Sequence, residues 1–383
     1  MSAPIVGIDA RSMTGRPAGV GRYVDNLVRS LTSLDHGLRL RLLLPEGAPH
    51  PGIDGVEVST LPSPPWPALD NVFTWSHVSL PWRLLREPLD LLHGPFYTLP
   101  AICPCPAVVT IHDITFELRP EWFTRRARLA FRGFASRSAR RARHVLTVSE
   151  RSRTDIIEAY GLPAWRVTAV PLAPDPRFER VSDPVRLARV RRAHALEGDY
   201  LLHVGSITPR RNIGRLLDAF ASVRGRSPKL TLALAGEVEP PSPPLETEIA
   251  RRGLGSAVRV LGYVPEADLP TLYSGAAVVV YPSLYEGFGL PVLEAMACGA
   301  PVVSSATSSI PEVAGDAALL VDPERTDAIA AGIWSALTDL PLRERLARAG
   351  PERAATFSWS RTARETLAVY RRALGGAGEG ARG

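Results

Sequence analysis

Two glutamates separated by seven residues, Glu286 and Glu294, stand in the stretch YEGFGLPVLEAMACGAPVVSS. Pro291 suits a first helical position, Gly287 and Gly289 allow close backbone approach, and Gly299 suits a helix end. A helix starting there points backbone N–H groups and the positive end of its dipole outward, which makes a site for phosphate. Glu294 falls about a turn into that helix, within reach of sugar or ribose hydroxyls. Glu286 sits just before the loop, nearer to whatever the phosphate carries. On spacing alone, an ordinary strand–helix junction with two incidental acids explains the pair equally well, since a glutamate in a first turn also complements the dipole.

Three other stretches carry candidate chemistry. In HVGSITPRRNIGRLLDAF, residues 203–220, Gly205 and Ser206 lie in a turn, and Arg210, Arg211 and Asn212 open a helix. Paired guanidinium groups beside a helix start bind phosphate in a bidentate manner. In DARSMTGRPAGVGRYVDNLVRSL, Gly19 and Gly21 fall at a turn into a helix, but Val24 stands where a dinucleotide fingerprint needs its third glycine. A tight glycine turn fits that stretch better. In TIHDITF, His112 and Asp113 close a strand, where a titratable pair faces a ligand more often than on an outer surface. No spacing of acids or histidines matches a metal site, so any bound phosphate must be neutralised by arginine and helix dipoles. Cys103, Cys105 and Cys298 form no disulfide framework, and CPCP lacks the spacer of a zinc knuckle, so the thiols read as incidental.

The elements that must hold these residues alternate. Short apolar runs rich in β-branched residues are separated by amphipathic segments, the pattern of α/β units with parallel sheets. The expected strands are PIVGIDA, LRLRLLLP, LDLLHG, AVVTIHD, HVLTVS and RVTAVP in the first half. YLLHVGS, LTLALAG, VRVLGY, AAVVVYPS, APVVSS and AALLVD follow in the second. Most are apolar throughout, as strands covered on both faces should be. A chain of 383 residues exceeds one ordinary core, so two doubly wound domains are expected, with ligands at the carboxyl ends of the strands. The boundaries read as residues 1–172 for the first domain, 173–198 for a proline-rich, charged linker that carries the first surface helix of the second domain, and 199–357 for the second domain. The segments at 62–67 and 240–244 read as proline-rich surface loops, and 376–383 as a disordered tail.

The formal net charge of +6 is uneven: residues 122–153 hold ten arginines against one acid, Glu150. Such a patch could meet anionic lipid, phosphorylated substrate or nucleic acid, and no nucleic-acid module accompanies it. Scarce lysine beside abundant Arg, Ala and Pro suggests a GC-rich bacterial genome. No run approaches the roughly 20 apolar residues of a membrane span, and MSAPIVGIDA has no signal-peptide pattern, so a cytoplasmic protein is expected.

Eight collinear segments carry a family resemblance. YEGFGLPVLEAMACGAPVVSS resembles the Glu-x7-Glu signature of family 4 retaining glycosyltransferases, which have the GT-B fold, two Rossmann-like domains facing across a cleft. AGVGRYVDNLV looks like that family's N-terminal glycine turn, and VVTIHDITF with VLTVSERSRTDI like its later N-domain motifs. VGSITPRRN, LGYVPEADLPTLYSGAAVVVYPS and IPEVAGDAALLVDP are similar to its C-domain series. FSWSRTARETLAVYRRAL resembles the terminal helix, residues 360–375, that crosses back to the first domain.

The resemblance implies roles position by position. Glu294 would bind ribose hydroxyls and Glu286 hydroxyls of the transferred sugar. Gly205 would sit in the turn beside the donor, and the backbone of Gly287, Phe288, Gly289 and Leu290 would hold the diphosphate. Arg211, in the place usually held by lysine, would neutralise the diphosphate. Ser206 stands where many members have arginine, which leaves open how much of the clamp Arg210 supplies. Gly19 would let the backbone approach the β-phosphate, His112 would face the reacting sugar with Asp113 as its support, and Val264 and Pro265 would meet the base. The implied reaction is metal-independent transfer from a nucleotide-diphosphate sugar with retention, using no cofactor. The SITPRRN variant and IHDITF look most like bacterial mannosyltransferases of polysaccharide or O-antigen assembly, which favours GDP-mannose over UDP- or dTDP-sugars. The acceptor would be a glycan, a lipid-linked glycan or a small molecule. The stretch with Trp122, Phe123, Leu129, Phe131 and Phe134 interleaved with arginine reads either as a surface that docks the first domain on an anionic membrane, at the inner face of the plasma membrane, or as a solvated basic face or a site for a phosphate-bearing acceptor. Other classes are a GT-B nucleotide-sugar epimerase, a phosphorylase, or a non-catalytic sugar-nucleotide binder. A phosphorylase needs a cofactor lysine and the chain has only Lys229, while His112, Arg211, Glu286 and Glu294 together argue for catalysis.

Overall fold

The computed structural model describes residues 2–14, 19–61 and 74–375, apart from the side chains of residues 129 and 130. The expectations for 62–67 and 376–383 lie outside the described residues. The chain divides into two compact units. One comprises Met1–Glu117, Arg126–Leu172 and Trp359–Gly383, the other Leu118–Arg125 and Ala173–Ser358.

The first unit holds a seven-stranded sheet: β1 (Ile5–Asp9), β2 (Arg39–Pro45), β3 (Val56–Leu61), β4 (Leu91–Gly94), β5 (Ala107–Thr110), β6 (His144–Thr147) and β7 (Val167–Ala169). Their order is β3-β2-β1-β4-β5-β6-β7, and every pairing is parallel. Val6, Ile8, Leu91, Leu92, Val108 and Val109 are fully buried, which explains the unbroken apolar runs. Burying such a side chain stabilises the fold by about 1.5–3 kcal/mol. The strand not foreseen is β3. It lies at the sheet edge and alternates apolar with polar residues, and its Glu57 pairs with Arg41 of β2 at 2.8 Å.

The second unit repeats the plan with β8 (Tyr200–Val204), β9 (Thr231–Ala235), β10 (Val258–Gly262), β11 (Val278–Tyr281), β12 (Val302–Ser305) and β13 (Leu319–Val321). The order is β10-β9-β8-β11-β12-β13, again parallel. One side of its core joins Leu216 and Phe220 of the helix Ile213–Arg224 to Leu232, Ile329 and Ile333. Strand order reverses at β1/β4 and at β8/β11, and open α/β sheets bind ligands outside the carboxyl ends of strands at such points.

Residues 173–198, with the surface helix expected within them, belong to the second unit. Phe178 is buried with its ring 5.9 Å from that of Tyr273, Val181 N–H donates to Ser274 Oγ at 2.9 Å, and Leu196 is buried. The helix Pro184–Ala193 within this stretch is capped by Asp183 and buries only Val190, so its composition resembles a linker although its few apolar residues anchor it. The loop at 240–244 is largely exposed. The terminal helix Trp359–Gly375 belongs to the first unit, where it buries Trp359, Leu367, Val369 and Tyr370.

Candidate active site

The loop after β11 is held by hydroxyl groups from the segment after β12. Ser305 Oγ donates to Ser283 O at 2.5 Å, and Ser309 Oγ donates to Glu286 O at 2.9 Å and Phe288 O at 3.0 Å. Ser308 Oγ accepts from Glu286 N–H at 3.0 Å. Gly289 then turns the chain at φ 100 into the helix Leu290–Ala297, with Pro291 at its second position. A Cβ on Gly289 would come within 2.5 Å of Ile310 Cδ1, so both backbone and space demand glycine there. Phe288 is buried, edge-on to Phe357 at 5.9 Å. Gly287, Phe288, Gly289 and Leu290 thus form a fixed approach to a helix start, whose first N–H groups have no partner within the helix.

The neighbouring strand β8 delivers the arginines. Gly205 follows it at φ 141, against Gly236, where a Cβ would strike the Gly205 carbonyl. Ser206 comes next and is half-buried. Pro209–Arg211 forms a single 3₁₀ turn, and Asn212 adopts left-handed backbone geometry at φ 62. The buried Asn212 amide locks that turn by donating to Pro282 O at 3.0 Å and Pro323 O at 2.7 Å. Leu284 N–H donates to Arg210 O at 2.8 Å, tying the two loops together.

These constraints bring the predicted charges into one cluster. Glu286, 4% exposed, forms an ion pair with Arg211, itself 8% exposed, and a second with Arg210 at 3.4 Å. Arg211 Nη1 also reaches Ser283 Oγ at 3.5 Å, and its guanidinium lies over the Tyr281 ring, 5.0 Å from the centroid. Tyr281 in turn stacks on His203 at 5.2 Å with planes 14° apart. His203 Nδ1 donates to Val280 O at 3.0 Å, and burial pulls its pKa down to about 4, helped less by Arg211. The imidazole is therefore neutral at pH 7. One carboxylate against two guanidinium groups leaves the cluster net positive, the polarity a diphosphate requires.

Glu294 is buried in the helix Leu290–Ala297 and accepts from Tyr273 Oη at 3.2 Å. A carboxylate has about four lone-pair sites for hydroxyl donors. Val264 is buried and Pro265 exposed just past β10, separated from β8 by β9, so they stand apart from the charged cluster. Among the described residues no group of three His, Cys, Asp or Glu side chains is placed to hold a metal ion.

In the first unit, Gly19 caps the helix Val20–Thr32 at φ 46. His112 follows β5, donates from Nε2 to Pro95 O at 3.0 Å and meets the Tyr23 ring edge-on at 5.1 Å. Burial pulls its pKa down, against opposing contributions from Pro95 and Asp113. Asp113 Oδ1 accepts from Thr115 N–H at 2.9 Å and Thr115 Oγ1 at 2.6 Å, capping the turn that follows.

Sequence reasoning missed two groups of residues. One is the serine set Ser305, Ser308 and Ser309, whose signal is the hydroxyl-rich run SSATSS following a strand at the same sheet edge. The other is a buried polar chain behind His112. Tyr370 Oη bonds His93 Nδ1 at 2.7 Å, His93 Nε2 bonds Thr110 Oγ1 at 2.8 Å, and Thr110 Oγ1 bonds Tyr23 Oη at 3.1 Å.

Comparison with known proteins identifies the family and the fold. The model for Glycosyltransferase Family 4 matches residues 17–178 and that for Glycosyl transferases group 1 matches residues 187–353. The O-antigen chain mannosyltransferase B of Escherichia coli is 37% identical over 295 residues, 76% of this chain and 76% of that protein. The MMP alpha-(1->4)-mannosyltransferase of Mycolicibacterium hassiacum is 33% identical over 284 residues, 70% of this chain and 66% of that one. The crystal structure of Anabaena Alr3699/HepE in complex with UDP and glucose matches with a TM-score of 0.74, covering 96% of this chain and 99% of that chain. At 21% identity, it speaks for the fold. The chain belongs to family 4 of the glycosyltransferases and is a transferase enzyme of the GT-B fold.

Proposed function

We propose that the enzyme moves a mannosyl group from GDP-mannose to a glycan or lipid-linked acceptor of the O-antigen type, with retention of anomeric configuration. The observation that carries this reading is the net-positive cluster of Arg210, Arg211 and Glu286 beside the start of the helix Leu290–Ala297. The 37% identity to an O-antigen mannosyltransferase points to the sugar.

In this reading the diphosphate lies on the backbone of residues 287–290 and against Arg210 and Arg211. Both arginines stabilise the charge that develops as the bond from the anomeric carbon to the diphosphate breaks. Glu286, anchored by the arginines, orients sugar hydroxyls, and Glu294 takes the ribose. The acceptor hydroxyl attacks the same face of an oxocarbenium-like sugar, and its proton passes to the departing phosphate oxygen, so no protein carboxylate serves as nucleophile. His112, neutral and fixed through Nε2, presents Nδ1 as an acceptor toward the reacting sugar. Gly19 admits the β-phosphate to the backbone, and Val264 and Pro265 meet the base. Arginine and helix-dipole charge supply the neutralisation that other transferases take from a divalent ion, so the proposal includes turnover without added metal or cofactor.

Thermal-shift measurements with GDP-, UDP- and dTDP-sugars test the donor, because saturating ligand at about 100 times Kd raises stability by about 2.7 kcal/mol. GDP-mannose should give the largest shift. A shift with UDP-sugars alone would replace the donor, and no shift with any sugar nucleotide would defeat the reading.

A peripheral membrane role for the first unit is part of the proposal, on a revised surface. Phe131 stacks on Phe116 at 5.5 Å and Phe134 faces His77 at 5.0 Å, so these aromatics pack inward. Val78, Trp82 and Leu85 are exposed apolar residues at helical spacing on the segment whose His77 touches Phe134. Exposed Arg126, Arg137, Arg140 and Arg141 supply positive charge, and each basic residue near an anionic surface adds about 1 kcal/mol. Flotation with anionic liposomes at low salt should carry the protein upward and Trp82→Ala should weaken it. Equal behaviour with neutral liposomes would remove this part.

A further inference from the structure

The loop between β4 and β5 carries two cysteines that the reading of sugar transfer does not use. Cys103 and Cys105 are both half-buried, and their sulfurs lie 3.8 Å apart. Two positions apart, their Cα atoms are separated by at most about 7 Å, close to the range a disulfide spans. The sulfurs must approach by less than 2 Å to reach the bond length of about 2.05 Å. They open onto a cavity of about 290 Å³ that Leu99, Pro100, Arg141 and Arg143 also line. Arg141 Nη1 donates to Pro100 O at 3.3 Å and Arg143 Nη1 to Ala373 O at 3.1 Å, which holds both guanidinium groups at the cavity.

We propose that Cys103 and Cys105 form a reversible dithiol–disulfide site that reacts with small anionic disulfides of the glutathione class. The Cys103 thiolate attacks one sulfur of the small disulfide, forming a mixed disulfide and expelling one thiolate, which takes a proton. The Cys105 thiolate then attacks the Cys103 sulfur, closing the protein disulfide and expelling the second thiolate, which takes the proton Cys105 gave up. Two electrons pass from the protein dithiol to the small disulfide, which leaves as two thiols. Attack falls to Cys103 because hydrogen bonding from the Cys105 thiol, with a smaller contribution from Arg141, brings its pKa down to about 7. The Cys105 thiol is pushed up by the same partner. Cys298 is buried, with its pKa raised to about 12 by desolvation, and serves as an internal control. A disulfide closed across one intervening residue is strained and correspondingly easy to reduce, so the site reports redox state rather than bracing the fold.

The test exposes the reduced full-length protein to glutathione disulfide at pH 7. After acid quenching, free thiols are alkylated under denaturing conditions and the intact mass is read. Wild type should lose two alkylatable thiols and carry no glutathione. Cys105→Ser, which keeps a hydroxyl donor beside Cys103, should accumulate one glutathione on Cys103. Cys103→Ser should react about 3-fold more slowly than Cys105→Ser, the thiolate gain from a pKa near 7 net of lost nucleophilicity. Glutathione disulfide should outpace cationic cystamine at low salt, with the gap narrowing as salt rises. Wild type that keeps three alkylatable thiols or stays glutathionylated overturns the proposal. So does Cys103→Ser reacting as fast as Cys105→Ser, or cystamine matching glutathione disulfide at low salt.

Discussion

Glu286→Gln removes the charge that faces Arg210 and Arg211 while keeping volume and one carbonyl oxygen. Removing one charge of a buried pair costs about 3–5 kcal/mol when its partner is left alone. Here Arg211 keeps Ser283 Oγ at 3.5 Å and the face of Tyr281, a cation–π contact contributing about 0.5–2 kcal/mol. Arg210, with its side chain 27% exposed, keeps water. The net loss should therefore fall to about 2–3 kcal/mol, or roughly 5–10 °C in the melting transition of a unit this size. A bound diphosphate would replace the missing charge. Saturating GDP or UDP, whichever the enzyme takes, should stabilise the variant more than wild type by at least about 1.4 kcal/mol, a tenfold gain in nucleotide affinity. Sugar transfer should fall by about 100-fold or more, because the lost carboxylate no longer orients the sugar while charge develops. Scanning fluorimetry with and without nucleotide, calorimetric titration and a nucleotide-release assay measure the three quantities. A variant with wild-type stability, unchanged nucleotide affinity and full turnover would refute the reasoning.

Three further outcomes follow from the same structure. Gly289→Ala puts a Cβ at φ 100 and within 2.5 Å of Ile310 Cδ1, so it should cost about 1–3 kcal/mol and weaken nucleotide binding; a double variant with Ile310→Val should recover part of the stability. Tyr273→Phe removes the donor to Glu294 and should cost about 1–2 kcal/mol, with nucleotide affinity falling more than turnover at saturation. Burial holds His93 at a pKa of about 3 and His203 at about 4, so both stay neutral in the fold while the unfolded chain titrates near pH 6.5. Their contribution is intact above pH 6.5 and is lost as the pH falls toward those folded values, by about 1.4 kcal/mol each at pH 5.5. Chemical denaturation at pH 7.5 and 5.5 reads this, and His93→Gln should flatten the slope for the first unit.

Foreseen strands such as Val278–Tyr281 and Ala107–Thr110 are buried along their whole length, so they appear in sequence as short, mostly apolar runs. β3 escaped because an edge strand needs no such run, and Glu57 on it serves Arg41 rather than a core. The anchoring of residues 173–198 escaped for a related reason, since scattered buried side chains such as Phe178, Val190 and Leu196, with the Val181 hydrogen bond to Ser274, hold a segment otherwise rich in Pro and Arg. In the site, glycines and helix signals located Gly205, Gly287 and Gly289 because local backbone geometry is written in local sequence. The pairing of Arg211 with Glu286 was not legible that way. It depends on β8 lying beside β11 in register, which places residues 75 positions apart in contact. The same is true of His93, whose partner Tyr370 lies on a helix 277 residues away.

The central claim is that Arg210, Arg211 and the start of the helix Leu290–Ala297 hold a diphosphate. Calorimetric titration of wild type and Arg211→Met with GDP, GMP, UDP and UMP tests it most directly. For the base the enzyme accepts, the diphosphate should bind at least about tenfold more tightly than the monophosphate, in line with a charge-assisted contact of about 1.5–3 kcal/mol, and Arg211→Met should erase most of that difference. Equal affinity for mono- and diphosphate in wild type, or a difference that survives in Arg211→Met, would contradict the account.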